Sequence, residues 1–74
     1  MFVPELTWRR EHGASFGWVR SGKDHALLAR VDSTGWFIWP EGEAADQPIG
    51  AGIQTGKEGE RMAYLALRAR DLVR

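Results

Sequence analysis

The stretch GWFIWP, residues 35–40, places three large aromatic side chains within four successive positions of a 74-residue chain. In a strand, side chains alternate between the two faces, so Trp36 and Ile38 share one face while Phe37 and Trp39 share the other. Both faces of such a strand are apolar, and both need cover. The elements that the rest of the chain can supply as cover therefore decide the architecture.

Turn-forming residues divide the first half of the chain into short segments rich in aromatic and branched side chains. Such segments predict antiparallel strands joined by tight turns. The predicted strands are Leu6–Arg10, Ser15–Arg20, His25–Asp32 and Gly35–Trp39. Ile49–Gln54 is a weaker candidate for a fifth strand because its centre consists of Gly50, Ala51 and Gly52. The acidic segment 41–48 is predicted to be a surface loop.

The C-terminal segment predicts one amphipathic helix, from about residue 56 to residue 73. Thr55 and Glu58 have the spacing of a capping box, in which each side chain bonds to a backbone amide near the other. At about 100° per residue, one apolar stripe runs along this helix, and we expect it to face the sheet. The stripe consists of Met62, Leu65, Ala66, Ala69, Leu72 and Val73. The prediction is an α+β fold in a single domain, residues 1–74, with an antiparallel sheet of three to five short strands packed against one C-terminal helix.

One helix covers only one face of such a sheet, and the apolar second face extends beyond residues 35–40. The predicted strand at residues 25–32 is also apolar on both sides. Its side chains are Leu27, Ala29 and Val31 on one side and Ala26 and Leu28 on the other. We expect the second face to be closed by the N-terminal segment and arginine side chains, or by another molecule.

Composition and charge limit the compartment and the class of partner. Ten basic residues balance ten acidic ones, and the chain contains no cysteine. Without cysteine there are neither disulfides nor thiolate metal ligands, which favours a reducing compartment. No segment approaches the roughly 18 apolar residues of a membrane span, and no signal peptide is recognisable. We therefore expect a cytoplasmic protein that does not bind membranes, located in the host cytoplasm if a phage encodes it.

The sequence contains no group of residues that predicts catalysis. His12 and His25 lie in a predicted turn and at the start of a strand, without a cysteine, a serine-centred elbow or paired carboxylates near them. Two histidines without a third ligand make a poor metal site. The glycine-rich run before the helix departs from a phosphate-binding loop, because Ala51 and Glu58 stand where glycine and a hydroxyl are required. We expect a non-enzymatic protein with no catalytic residue, metal or cofactor.

The favoured hypothesis is a small binding protein that acts stoichiometrically on a protein partner, such as a host complex, or on a second copy of itself. On the predicted outer side of the helix, Tyr64 and Leu67 align with Glu60 and Asp71, and apolar side chains ringed by charge are typical of interfaces. The predicted anchors are Trp36, Trp39, Tyr64 and Leu67, with Arg20, Arg30 and Arg68 as the charged rim. The short, cysteine-free, aromatic-rich chain is similar to small accessory proteins of phages and mobile elements, including anti-CRISPR inhibitors. A small structural subunit of a virion is a special case of this hypothesis.

Basic residues interleaved with tryptophan along the predicted strands favour an alternative, DNA binding. Strands enter DNA grooves in several known modules. The candidate groove-facing residues are Arg9, Arg20 and Arg30. Nearby carboxylates nearly neutralise the strand region, whereas phosphate contacts need an excess of positive charge, so DNA binding is the second hypothesis.

The last third of the chain resembles a known DNA-binding pattern. Its residues Ile49-Gly50, Thr55, Glu58 and Ala63-Tyr64-Leu65 are similar to the L-G-x-F-x-T-x-E-E-A-x-x-A-Y pattern of APETALA-type plant DNA-binding domains. The gap before the alanine–tyrosine pair is one residue longer, and Gly59 stands where alanine is usual. The amino-terminal domains of tyrosine integrases have a similar architecture. The resemblance implies a small antiparallel sheet, backed by one C-terminal helix, whose strands face DNA.

Overall fold

The computed structural model describes residues 3–40 and 47–74 and shows one antiparallel sheet followed by a helix. The strands are β1 (Thr7–Glu11), β2 (Ala14–Ser21), β3 (Asp24–Asp32), β4 (Gly35–Ile38) and β5 (Gly50–Gly52), and the helix α1 spans Gly56–Ala69. The strands lie side by side in chain order, β1-β2-β3-β4-β5. The predicted α+β class is confirmed, and the weak candidate for a fifth strand is an edge strand. Of the predicted acidic loop, residues 41–46 lie outside the described residues.

The helix packs on β3, β4 and β5 and covers the face that carries Trp36 and Ile38. Trp36 pairs with Val31 and Ile38 pairs with Ala29, so these four side chains point to the same side of the sheet. All four are buried. The indole nitrogen of Trp36 donates a hydrogen bond of 2.8 Å to the side-chain oxygen of Gln54, so the polar atom of this buried ring has a partner. One half of GWFIWP is thus the centre of the core.

The glycines of β5 are required by the large side chains of β4. Gly52 pairs with Trp36, and Gly50 pairs with Ile38. A Cβ atom on Gly52 would lie 2.2 Å from the Trp36 indole nitrogen, and one on Gly50 would lie 2.9 Å from two side-chain carbons of Ile38. The small residues that weakened the strand prediction are therefore what allows β5 to pair beside these side chains.

One extra residue interrupts the alternation of β3. Gly17 pairs with Ala29 and the next residue, Trp18, pairs with Leu27, so Leu28 has no partner of its own on β2. This is a β-bulge, in which two residues of one strand oppose one residue of the other. Leu28 and Ala29 are both buried in the core, whereas Leu27 lines a cleft on the opposite side of the sheet with Trp18. The predicted grouping of Leu27 with Ala29 was wrong, because strict alternation fails at the bulge.

The helix faces the sheet with a stripe that overlaps the predicted one only in part: Met62, Ala66 and Leu72 pack against the core and Val73 is buried in it. Its buried residues are Gly59, Glu60, Ala63 and Leu67, whereas Leu65 of the predicted stripe is 43% exposed. The small side chains at 59 and 63 let the helix backbone approach the sheet closely. A Cβ atom on Gly59 would lie 2.6 Å from the Gln54 carbonyl oxygen and 2.6 Å from a methyl group of Val31. The prediction grouped apolar side chains, and neither the glycine at 59 nor the carboxylate at 60 counts as apolar, so it missed the side on which the closest approach occurs.

The carboxylate of Glu60 lies on the same buried stripe and joins the helix to the first two strands. Its side chain is 11% exposed. The guanidinium of Arg10 donates two hydrogen bonds to it, at 2.9 and 3.1 Å, and the hydroxyl of Ser15 donates a third at 2.7 Å. A buried carboxylate with charge-assisted bonds of this kind is satisfied. Position 60 is therefore polar and yet belongs to the face that packs on the sheet.

The helix begins where predicted, but its cap and its C-terminal end differ from the prediction. The helix begins at Gly56 as expected, but Thr55 makes no side-chain capping bond, and Gly56 enters the helix with a φ of 61°. The helix ends at Ala69 because Asp71 adopts a left-handed conformation with a φ of 59°. The amides of Asp71 and Leu72 donate to the carbonyls of Arg68 and Leu67 at 2.9 and 3.1 Å, which is a Schellman motif.

This C-terminal turn brings the end of the chain back to its beginning. Val73 is buried in the core, and the amide of Arg74 donates a hydrogen bond of 3.0 Å to the carbonyl of Pro4. Leu6, just beyond, also packs against the core. The side chain of Arg74 is thereby placed beside the start of β1.

We expect Gly59→Ala to lower the free energy of unfolding by about 1–3 kcal/mol, the usual effect of overpacking. A loss of stability would be informative, because alanine by itself stabilises a helix by about 1 kcal/mol relative to glycine. Chemical denaturation of the variant and the parent protein measures the difference. The control is Arg61→Ala, at an exposed position of the same helix, which should change the free energy of unfolding by less than about 0.5 kcal/mol. Unchanged or increased stability of Gly59→Ala would contradict the close approach.

Glu60→Ala should lower the free energy of unfolding by about 1–3 kcal/mol, because it leaves the buried hydroxyl of Ser15 without an acceptor. Glu60→Gln should cost less, since an amide oxygen can still accept from Ser15. The matched control is Glu58→Ala, two residues earlier in the helix and exposed. Equal effects of the substitutions at 58 and 60 in denaturation experiments would show that the buried carboxylate does not join the helix to the sheet.

Candidate functional site

The side of the sheet opposite the helix, which we call the open face, has no element of the described chain packed across it. Side chains alternate between the two sides along β1 to β4, so every residue that does not face the helix lies on the open face. Its arginine, aromatic and large apolar members are Arg9, Phe16, Trp18, Arg20, Leu27, Arg30 and Phe37. Each of these seven is exposed or half-buried. Aromatic and cationic side chains thus share one accessible surface.

Four of these residues form a row that crosses the sheet. Arg9 on β1 pairs with Phe16 on β2, Phe16 pairs with Arg30 on β3, and Arg30 pairs with Phe37 on β4. Directly paired residues lie about 4.5–5.5 Å apart across neighbouring strands, which is within reach of cation–π contact. The row alternates arginine and phenylalanine over four strands, and Trp18 lies beside it at the next same-face position of β2.

Arg30 is held in place at the inner end of this row. Its guanidinium carbon lies 4.9 Å from the centre of the Phe37 ring and 5.6 Å from that of Trp39. The two rings are 6.3 Å apart and tilted by 30°. The Arg30 Nε atom lies 3.2 Å from a carboxylate oxygen of Asp32. The second aromatic pair of GWFIWP is therefore covered in part by an arginine side chain, and Trp39 is only 5% exposed.

Asp32 is itself fixed by the turn that follows β3. The hydroxyl and the amide of Thr34 both donate hydrogen bonds to one carboxylate oxygen of Asp32, the amide at 2.9 Å. These two bonds, in that order, lower the pKa of Asp32 below its ordinary value, and the charge of Arg30 adds to the effect. The carboxylate therefore stays ionised, and keeps its contact with Arg30, to a lower pH than an ordinary aspartate would.

Two adjoining clefts lie on the open face over β1, β2 and β3. The larger has a volume of about 740 Å³ and is bordered by basic residues around an aromatic ring; its members include Arg9, Trp18, Arg20, His25 and Arg74. The smaller has a volume of about 190 Å³ and lies against Phe16 and Leu27. Arg9 and Trp18 border both clefts. Together the clefts form a groove that is cationic at one end and apolar at the other.

Three of the predicted partner-binding anchors are interior residues, and their prediction as surface contacts is corrected. Trp36 and Leu67 lie between the sheet and the helix, at 8% and 0% exposed, because the helix turns Leu67 toward the sheet. Trp39 lies beneath Arg30 with little surface accessible. None of the three can contact a partner unless the packing around it opens.

The remaining predicted residues fall on two sides of the molecule. Tyr64 is half-buried on the helix, and its hydroxyl lies 3.4 Å from the guanidinium of Arg68, which is exposed. Arg20 and Arg30 lie on the open face, across the sheet from these two. The predicted set thus does not form one surface, whereas the three arginines of the DNA-binding hypothesis, Arg9 included, all share the open face.

The aromatic members of the open face were missed as site residues. Phe16, Trp18 and Arg20 follow one another at a spacing of two, which places them on one side of β2. That spacing was a usable signal. Leu27 could not be assigned to this face by alternation, because the bulge at Leu28 shifts its side.

No family model, curated protein or solved structure that we compared matches this chain. The similarities to APETALA-type domains, integrase amino-terminal domains and anti-CRISPR proteins therefore stay predictions. Within residues 3–40 and 47–74, no three histidine, aspartate or glutamate side chains cluster as a metal ion would require. Over the same residues, no helix has the length and apolar character needed to cross a membrane.

We expect Asp32→Ala to lower stability at pH 7 by about 0.5–1 kcal/mol, through loss of the bonds from Thr34 and the contact with Arg30. Because folding lowers the pKa of Asp32, its contribution is complete above the pKa of the unfolded chain and is lost as the pH falls through the folded value. The difference between variant and parent should therefore narrow below about pH 4. Denaturation at pH 7 and pH 3 measures it, with Asp24→Ala, exposed at the start of β3, as the control. A difference that does not change with pH would contradict this role of Asp32.

Proposed function

We propose that this protein is a non-enzymatic binding module that docks a protein partner on the open face of its sheet. The observation that carries the proposal is the cross-strand row Arg9, Phe16, Arg30 and Phe37, with Trp18 beside it. Arginine and aromatic residues are enriched at the centres of protein interfaces, whereas lysine is depleted there, and the row contains no lysine. Strand pairing fixes the backbone of the row, and the contacts of Arg30 with Phe37, Trp39 and Asp32 position its side chain, which limits the entropy lost on binding at that residue.

The charge of the open face supports a protein partner over a polyanion. Arg30 is paired with Asp32, and Arg74, at the rim, lies 3.5 Å from a carboxylate oxygen of Glu5. Among the described residues, Arg9 and Arg20 are the members of this face without an acidic partner. Two arginines without an acidic partner are enough to orient a protein that carries matching carboxylates. Such complementarity contributes to specificity more than to overall affinity.

Nucleic-acid binding is the second candidate function, and one observation favours it. Arg9, Arg20 and Arg30 share a single face with Phe16, Trp18 and Phe37. Single-stranded nucleic acids are bound by basic grooves in which bases stack on aromatic side chains. The zero net charge of the chain counts against it, because phosphate contacts depend on excess positive charge.

Within this proposal the protein acts stoichiometrically, by covering a surface of a larger complex. That mode of action is the one we suggested from the similarity to phage-encoded anti-CRISPR inhibitors, and it needs a docking surface and no active site. We propose a cytoplasmic location because the chain contains no cysteine and so forms none of the disulfides that an oxidising compartment supports.

The proposal is tested by affinity capture from a host lysate with matched variants on the two sides of the molecule. Trp18→Ala and Arg9→Glu should each reduce capture of a specific partner at least tenfold. Arg68→Glu makes the same charge change as Arg9→Glu on the helix side and should leave capture unchanged. Thermal unfolding of each variant establishes that it is folded, and Arg9 is exposed, so its substitution should not disturb the core. Capture that survives both open-face substitutions would refute the proposal.

The same variants separate the two candidate functions. A salt titration of binding to single- and double-stranded DNA should show no affinity at low salt if the partner is a protein. Affinity that is present at low salt, falls steeply with salt and is lost in Arg9→Glu would instead establish the nucleic-acid candidate.

A further inference from the structure

We infer that the groove formed by the two clefts of the open face binds an acidic, partly apolar segment of the partner protein. Carboxylate side chains of that segment lie against Arg9, Arg20 and Arg74 in the larger cleft. An apolar side chain next to them lies against Phe16 and Leu27 in the smaller one. The inference rests on the proposed function and specifies the chemistry of the partner.

The basic residues of the larger cleft come from separate parts of the fold and converge around Trp18. Arg9 is on β1, and Arg20 on β2 pairs with His25 on β3. Arg74 is delivered from the C terminus by the Schellman turn and by its backbone bond to Pro4. Trp18, which pairs with Thr7, borders the same cleft beside these groups. Convergence from strands and the chain terminus gives a concave cationic surface with an aromatic centre.

Arg20 and the backbone of Arg74 are positioned in this cleft before any ligand arrives. The Nε atom of Arg20 donates a hydrogen bond of 3.2 Å to the carbonyl of Gly22. Arg74 is held by its backbone bond and by the neighbouring buried Val73. Its ion pair with Glu5 joins two exposed side chains, 67% and 66% accessible, so an incoming carboxylate can replace Glu5 at little cost. The volume of about 740 Å³ lies within the range of ligand sites.

The distribution of acidic residues selects a peptide over a polynucleotide. Glu11 borders the smaller cleft, so a carboxylate stands at the apolar end of the groove. A polynucleotide carries a phosphate at every nucleotide and would bring negative charge close to Glu11 as well as into the cationic cleft. A peptide can carry its carboxylates only at the cationic end and place apolar side chains beside Phe16 and Leu27. Like-charge contacts of this kind reject wrong partners.

The experiment is an NMR titration of the ¹⁵N-labelled full chain with an eight-residue peptide of five glutamates followed by three leucines. We expect shifts at the Trp18 indole and at the amides of β1 and β2 that border the groove. The same peptide with glutamine in place of glutamate should bind at least tenfold more weakly. The double variant Arg9→Glu/Arg20→Glu should also lose at least tenfold, whereas Arg61→Glu/Arg68→Glu, with the same charge change on the helix, should bind as the parent does.

Three outcomes would overturn the inference. They are equal binding of the glutamine peptide, shifts that map away from the groove or are absent at millimolar peptide, and tighter binding of an eight-nucleotide oligothymidine at the same ionic strength. Its failure can be told apart from failure of the proposed function. If Trp18→Ala loses the captured partner but Arg9→Glu/Arg20→Glu retains it, the open face is supported as the docking surface and the acidic ligand is refuted. If neither variant affects capture, both are refuted.

Discussion

The close approach of the helix to the sheet at Gly59 is the constraint on which the rest of the structure depends. With no side chain at this position, the helix backbone lies directly against Val31 and the Gln54 carbonyl, at a distance that a single methyl group would prevent. That contact sets the rotation of the helix. It turns Ala63 and Leu67 into the core and brings the carboxylate of Glu60 to the strands. A helix rotated by a quarter turn would present larger side chains and would have to sit farther from the sheet.

Once the helix is seated, the two faces of GWFIWP have different environments. Trp36 and Ile38 lie under the helix and beside the glycines of β5, which leave space for these two large side chains. Phe37 and Trp39 lie on the other side, where Arg30 stacks on both rings. An arginine is a suitable cover there because its planar cation contacts aromatic rings while its edge remains able to meet solvent or a carboxylate. The second apolar face is thus neither a second core nor a bare hydrophobic patch, and its surface carries both ring and charge.

The element order was predictable from the sequence, and so was the sharing of one face by Arg9, Arg20 and Arg30, because turn signals and strand alternation are local. The rotation of the helix was not, since it depends on contacts between distant positions such as Glu60 with Arg10 and Ser15. A polar residue scores as exposed in any pattern that treats the helix alone. The Schellman end was hidden for a related reason, because Asp71 takes a conformation more typical of glycine. The cleft that includes Arg74 follows from that turn and could not be assembled from spacing.

The bulge at Leu28 lets one strand supply two faces that need different side chains. Strict alternation would place Leu27 with Ala29 under the helix and would turn Leu28 to the open face. The extra residue instead gives the core both Leu28 and Ala29 and leaves Leu27 beside Trp18 in the groove. A deletion of one residue at this point would restore the alternation, and the smaller cleft would lose Leu27 while the core gained it. The apolar end of the groove is therefore a direct product of an irregularity in the backbone of β3.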